Sequence, residues 1–296
     1  MRFIVALMVA VMAGLGSVHA QDRLDVVATF SILGDFAKNV GGDRVHVTTL
    51  VGPDSDSHVY TPSPADAKTI AAARLVIVNG LGLEGWLPRL VKSSGGKAVT
   101  VIATKGIAPR GIEDGHGHDP ADVDPHAWQS VPNAKIYVAN IRDALIAADP
   151  AGADSYRANA DAYLAKLDAL DAELRAAVAK IPPERRRVIS THDAFGYFAA
   201  AYGIDFIAPQ GVSTDSEPSA RDIATIITRI KREKIPAVFL ENISDPRLIR
   251  RIAAETGANI GETLYSDSLT GEKGPVPTYI DMVRHNIKAL TRALAS

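Results

Sequence analysis

Short β-rich runs alternate with longer amphipathic stretches along the first half of the chain. Asp25 to Phe30, Val45 to Val51, Leu75 to Asn79 and Val99 to Ile102 read as strands. Ile32 to Val40, Ser63 to Ala73 and Leu83 to Ser93 read as helices, and a further helix is expected from Val131 to Ala148. Strands separated by helices of this size predict βαβ units and a mainly parallel sheet. Ser63-Pro64-Ala65-Asp66 is a strong helix start, with Ser as N-cap, Pro at the first helical position and an acidic third residue.

From Pro150 to Lys180 the pattern changes. Tyr156, Ala160, Tyr163, Leu167, Leu170, Leu174, Val178 and Ile181 recur every three or four residues between charged positions, until Pro182-Pro183 ends the stripe. A helix over that whole stretch would be about 46 Å long, and the spacing predicts a connecting rod that packs on two lobes. The strand-helix alternation then resumes. Arg187 to Thr191, Ile204 to Ile207, Ala237 to Glu241 and Asn259 to Leu264 read as strands; Ala194 to Tyr202, Ser219 to Glu233, Pro246 to Thr256 and Pro277 to Leu294 read as helices. The expected fold is α/β: two similar lobes with mainly parallel sheets, 21–148 and 183–296, joined by one long backbone helix within 149–182.

Composition narrows the function. The chain of 296 residues carries 32 basic and 34 acidic side chains, a balance that gives no positive field for nucleic acid or an anionic membrane. It has no cysteine, so any metal must be held by imidazole and carboxylate. Met1 and Arg2 precede the apolar run Phe3 to Leu15 and the small-residue pattern Val18-His19-Ala20, which reads as a secretory signal peptide over 1–20. The expected location is the periplasm.

Three histidines stand where elements begin or end. His58 follows a strand and precedes the capped helix at Ser63; His126 sits between a Gly-, Asp- and His-rich loop and a helix; His192 directly follows the strand ending at Thr191. Asp267 follows the last strand in the same way. The carboxyl ends of strands in open α/β sheets collect ligand-binding residues, and two candidates come from each side of the long helix. Three imidazoles and one carboxylate are a natural tetrahedral set for zinc. Taken singly, each reads more readily as a capping or turn residue; their joint placement favours a shared site, and separations of 66 to 75 residues rule out a compact motif. His46 and His285 read as structural or solvated. His116-Gly117-His118-Asp119 offers a weak capture site or a plain solvated loop. No His-Glu-x-x-His, Gly-x-Ser-x-Gly or phosphate-binding loop is present, so an enzyme lacks a recognisable nucleophile or base.

Several strings resemble one family. They are Val26-Val27-Ala28-Thr29-Phe30-Ser31-Ile32-Leu33, His58-Val59-Tyr60-Thr61-Pro62-Ser63-Pro64-Ala65-Asp66, Asp124-Pro125-His126-Ala127-Trp128, Thr191-His192-Asp193-Ala194-Phe195-Gly196-Tyr197-Phe198, Glu217-Pro218-Ser219 and Tyr265-Ser266-Asp267-Ser268-Leu269. The chain resembles the ZnuA/TroA-like periplasmic metal receptors of ABC importers, and among them the short-loop AztC-like zinc receptors. The resemblance implies metal ligation by His58, His126, His192 and Asp267, with Glu217 and Glu241 as supporting hydrogen-bonding groups. It also implies a non-enzymatic, monomeric carrier of Zn2+ that serves an inner-membrane permease and its ATPase, with a periplasmic zinc chaperone as a further partner. Mn2+ or Fe2+ is the alternative cargo, since relatives selecting those ions usually carry Glu where this chain has His192. A zinc hydrolase with three histidine ligands and Asp267 outside the metal's shell, and a metal-stabilised adhesin, are the readings from other classes.

Overall fold

The computed structural model describes residues 23–112 and 123–295; the expected signal segment and the loop histidines His116 and His118 lie outside them. Strands β1 (Leu24–Phe30), β2 (Val45–Val51), β3 (Leu75–Val78) and β4 (Val99–Ile102) form one parallel sheet in the order β2-β1-β3-β4. Helices α1 (Ser31–Gly41), α2 (Pro64–Ala72) and α3 (Leu87–Ser94) supply its crossovers. Both faces are covered, which is why β3 reads as an uninterrupted apolar run. Along β1, Val26, Ala28 and Phe30 face the main core while Val27 packs with Ile70 and Leu90 on the α2-α3 side. The predicted start of α2 is present: Ser63 Oγ accepts the Asp66 N–H, and the Asp66 carboxylate accepts the Ser63 N–H.

A second sheet repeats the winding. Strands β5 (Arg187–Ile189), β6 (Asp205–Ile207), β7 (Ala237–Val238) and β8 (Asn259–Ile260) are all parallel in the order β6-β5-β7-β8. Its helices are α6 (Gly196–Tyr202), α7 (Ala220–Glu233), α8 (Arg247–Thr256) and α9 (Tyr279–Ala295). β7 and β8 stop short of the spans expected to reach Glu241 and Leu264. The Gly261 N–H bonds the Val238 carbonyl and the Leu264 N–H bonds the Leu240 carbonyl, so two steps on one strand face three on the other. The ladder slips like a bulge and regains pairing only as a bridge between Glu241 and Leu264.

Helices α4 (Val131–Ala148) and α5 (Ala153–Val178) lie between the two sheets in sequence. The long helix has 26 residues, fewer than the expected stretch from Pro150 to Lys180, because Pro150–Gly152 forms a separate 3-10 turn and the helix ends at Val178. Its buried stripe from Tyr156 to Val178 packs on α1 and α4 of the first half and on α6 and α9 of the second. One hydrophobic core therefore runs unbroken from the first sheet to the second.

Candidate metal centre

Each candidate ligand is delivered by the end of an element. The loop after β2 carries Asp56-Ser57-His58, in which Asp56 Oδ1 accepts the His58 N–H at 2.8 Å. Asp124-Pro125-His126 repeats the turn, with Asp124 Oδ1 accepting the His126 N–H at 2.9 Å. His192 follows β5, and Glu241 follows β7, its hydrogen-bonded neighbour. These two strands flank the point where the winding of the sheet reverses, the usual place for a ligand. Asp267 lies in the segment leading away from β8.

The four converge. His58 Nε2 is 3.2 Å from His126 Nε2 and 3.1 Å from Asp267 Oδ2. Asp267 Oδ2 is also 3.6 Å from His126 Nε2 and 3.2 Å from His192 Nε2, and one donor atom from each residue lies within 4.8 Å of the rest. A tetrahedral ion with bonds near 2.0–2.1 Å needs donors about 3.3 Å apart, so the spacing suits such an ion. His126, His192 and Asp267 are fully buried, and the His58 side chain is 5% exposed. Asp267 Oδ1 is buried with no hydrogen-bond partner among the described residues, which leaves it free to turn to a cation.

Carboxylates behind the imidazoles set their electrostatics. Asp124 Oδ1 lies 2.8 Å from His126 Nδ1, and Glu241 Oε2 lies 2.6 Å from His192 Nδ1. Burial opposes the charged form of His126, but Asp267 and Asp124 prevail and push it up to about 9. For His192, burial likewise opposes charge, yet Glu241 and Asp267 hold it well above the ordinary imidazole range. Burial would raise Asp267, but His126 and His192 hold it well below the usual carboxylate range. Without metal, two protons thus stand in for the dication among three carboxylates.

Donors from the first lobe grip the Asp267 segment. Trp128 Nε1 and Gln129 Nε2 donate to the Ser266 carbonyl at 2.9 and 2.7 Å, and the Asp54 N–H donates to the Leu269 carbonyl at 2.9 Å. Glu217, expected to support the site, is exposed and lines a cavity with Asp56, Thr191, Thr214 and Arg247, at the back of the turns that carry His58 and His192. Its loop reaches the His58 turn through Thr214, whose Oγ1 donates to Asp56 Oδ2 at 2.6 Å, but the Glu217 carboxylate itself has no bond to a candidate ligand among the described residues. Asp124 was not singled out from the sequence, although an Asp two residues before a ligand histidine is a readable signal for both turns. His46 pairs with Asp25 on the surface and His285 bonds the Thr263 carbonyl, as structural histidines do.

Two parallel-sheet lobes on one long helix, with a buried three-nitrogen, one-oxygen donor set between them, define a two-lobed metal-binding receptor. The chain belongs to the ZnuA family, described as zinc-uptake complex component A, periplasmic, which it matches over residues 26–293. It is 36% identical over 271 residues to the iron-binding protein YfeA of Yersinia pestis, covering 91% of this chain and 86% of that one. It is 37% identical to the manganese-binding lipoprotein MntA of Bacillus subtilis (strain 168), covering 93% of this chain and 91% of MntA. The fold superposes on the periplasmic zinc-binding protein TroA of Treponema pallidum with a TM-score of 0.86 at 32% identity, covering 93% of this chain and 100% of TroA.

Proposed function

We propose that this protein is the periplasmic receptor of a zinc importer: it holds one Zn2+ on His58, His126, His192 and Asp267 and passes it to a permease driven by an ATPase. On this reading the lobes are 21–148 and 183–296, with 149–182 as the connecting element. The observation that carries it is the donor cluster in which Asp267 Oδ2 lies 3.1 to 3.6 Å from all three imidazoles. With four protein donors a tetrahedral ion has no position for an activated water, which favours carriage over hydrolysis. The imidazole of His192 makes the set softer than one with a second carboxylate, and softer sets suit zinc.

The names of YfeA and MntA favour a second reading, in which the cargo is Fe2+ or Mn2+. Raw affinity does not separate the readings, because nearly any nitrogen-oxygen site binds Zn2+ more tightly than Mn2+. Uptake does. Cells lacking this protein should stop growing when zinc is chelated, and added Zn2+ should restore growth. Restoration by Mn2+ or Fe2+ alone would replace zinc with that ion as the cargo. Purified wild-type protein should take up one Zn2+ per chain.

A further inference from the structure

The ligand imidazoles are not braced alike. His126 and His192 each have a carboxylate on Nδ1, at 2.8 and 2.6 Å. Among the described residues no carboxylate reaches His58 Nδ1, and His58 is the one ligand whose side chain touches solvent. It is held through its backbone. The Trp86 indole N–H donates to the carbonyl of the buried Ser57 at 3.1 Å, one residue before the ligand. Two residues after His58, the Tyr60 ring meets the Trp86 ring edge-on at 5.1 Å, and Tyr60 Oη donates to Asp66 at the start of α2.

Trp86 is itself firmly mounted. It stands at the entry to α3, whose Leu87 and Leu90 are buried. The turn before it is fastened by the buried Glu84, which accepts Thr29 Oγ1 at 2.7 Å and the N–H groups of Asn79 and Gly80 at 2.6 and 3.1 Å. Beside the indole runs a groove of about 660 Å3 lined by Pro62, Pro64, Trp86, Arg89 and Leu90. The ring therefore has open space on one side, and the Ser57 and Tyr60 contacts keep it in place.

We propose that Trp86 is the positioning residue for His58: by holding the Ser57 carbonyl, its indole N–H sets how long the His58 imidazole stays on the cargo. This rests on the receptor reading above. Groups that orient a ligand from outside a metal's shell commonly change affinity about 10- to 100-fold. Trp86→Phe keeps an aromatic ring against Tyr60 and removes the donor together with part of the indole's bulk. Zn2+ should then leave for an external chelator about tenfold faster, while still binding one ion per chain. In a His58→Ala background the same change should have no further effect, because the ligand it positions is gone. Equal acceleration in both backgrounds, or none in the wild type, overturns the proposal.

The chain has two tryptophans, so the two indole N–H signals of the labelled protein form a small, separable set. Coupling is reciprocal: Zn2+ loading of the unaltered protein should slow solvent exchange of the Trp86 indole proton about tenfold. Unchanged exchange overturns the proposal even if Trp86→Phe does not fold. A wild-type protein that takes up no Zn2+ refutes the receptor reading itself; one that loads normally but ignores Trp86 refutes this inference alone.

Discussion

Glu241 Oε2 sits 2.6 Å from His192 Nδ1, while its other oxygen accepts the N–H groups of Thr191 and His192 at 2.7 and 3.0 Å. One carboxylate thus fixes the backbone beside a candidate ligand and places its charge against the ring's Nδ1, so that Nε2 is the nitrogen left facing Asp267, where a proton or a cation can sit. Glu241→Gln keeps the shape and loses the charge. Its amide can donate to Nδ1, which would place the imidazole proton on Nε2 and block the metal. The variant should bind Zn2+ about 10- to 100-fold more weakly with an unchanged fold by circular dichroism. Wild-type affinity in Glu241→Gln would show that the contact does not orient the ligand.

Protons compete with the metal for the same nitrogens. His126 is pushed up to about 9 by Asp267 and Asp124 against the opposing effect of burial, and His192 is also raised. At neutral pH the metal-free site is therefore protonated, and loading should release about two protons per ion. Affinity should rise with pH from neutral through about 9, where His126 gives up its proton. Stability of the metal-free protein runs the other way: a raised imidazole stabilises the fold fully below its unfolded value near 6.5 and loses that contribution as pH climbs through about 9. The gain in melting temperature on adding Zn2+ should be larger at pH 8 than at pH 6. An equal gain at both would mean that no proton leaves.

Replacing His192 with glutamate tests which atoms set the choice of ion. His192→Glu alone places a second buried carboxylate against Glu241, and like charges that close hold a proton instead of a metal. Its affinity for every divalent ion should fall. His192→Glu with Glu241→Gln removes the repulsion and leaves a harder donor set, which should recover Mn2+ binding more than Zn2+ binding. Metal titration of both variants decides this, and full Zn2+ affinity in the single variant would rule out the repulsion.

Much of this was legible in the sequence, for physical reasons that differ by element. β3 and the stripe of α5 are read correctly because burial on both faces, or on one helical face, imposes a period that composition records. The four donors were legible as residues standing at element ends, with the family resemblance naming them together. What the pattern does not carry is pairing at a distance. The slip between Val238 and Gly261 that ends β7 and β8 early is a three-dimensional mismatch of two strands, and each strand separately still looks long. Glu217 matches a family string yet lies exposed while Thr214 of the same loop makes the contact to Asp56, since position in a motif does not say which side chain of a loop turns inward.

The long helix makes a prediction about cooperativity. Leu167 is fully buried near the middle of α5, in the core that both sheets share. Leu167→Ala removes side-chain contacts and leaves a cavity, a loss of about 2–5 kcal/mol. In a chain of this size each kcal/mol lowers the melting temperature by about 2–4 °C. Because the core is continuous, calorimetry should show one transition that moves as a whole. The candidate donors lie in loops outside this stripe, so Zn2+ affinity at 25 °C should stay within about threefold of wild type, as distant sites act independently. Two transitions, with only one displaced, would mean that the lobes unfold separately and that α5 belongs to one of them.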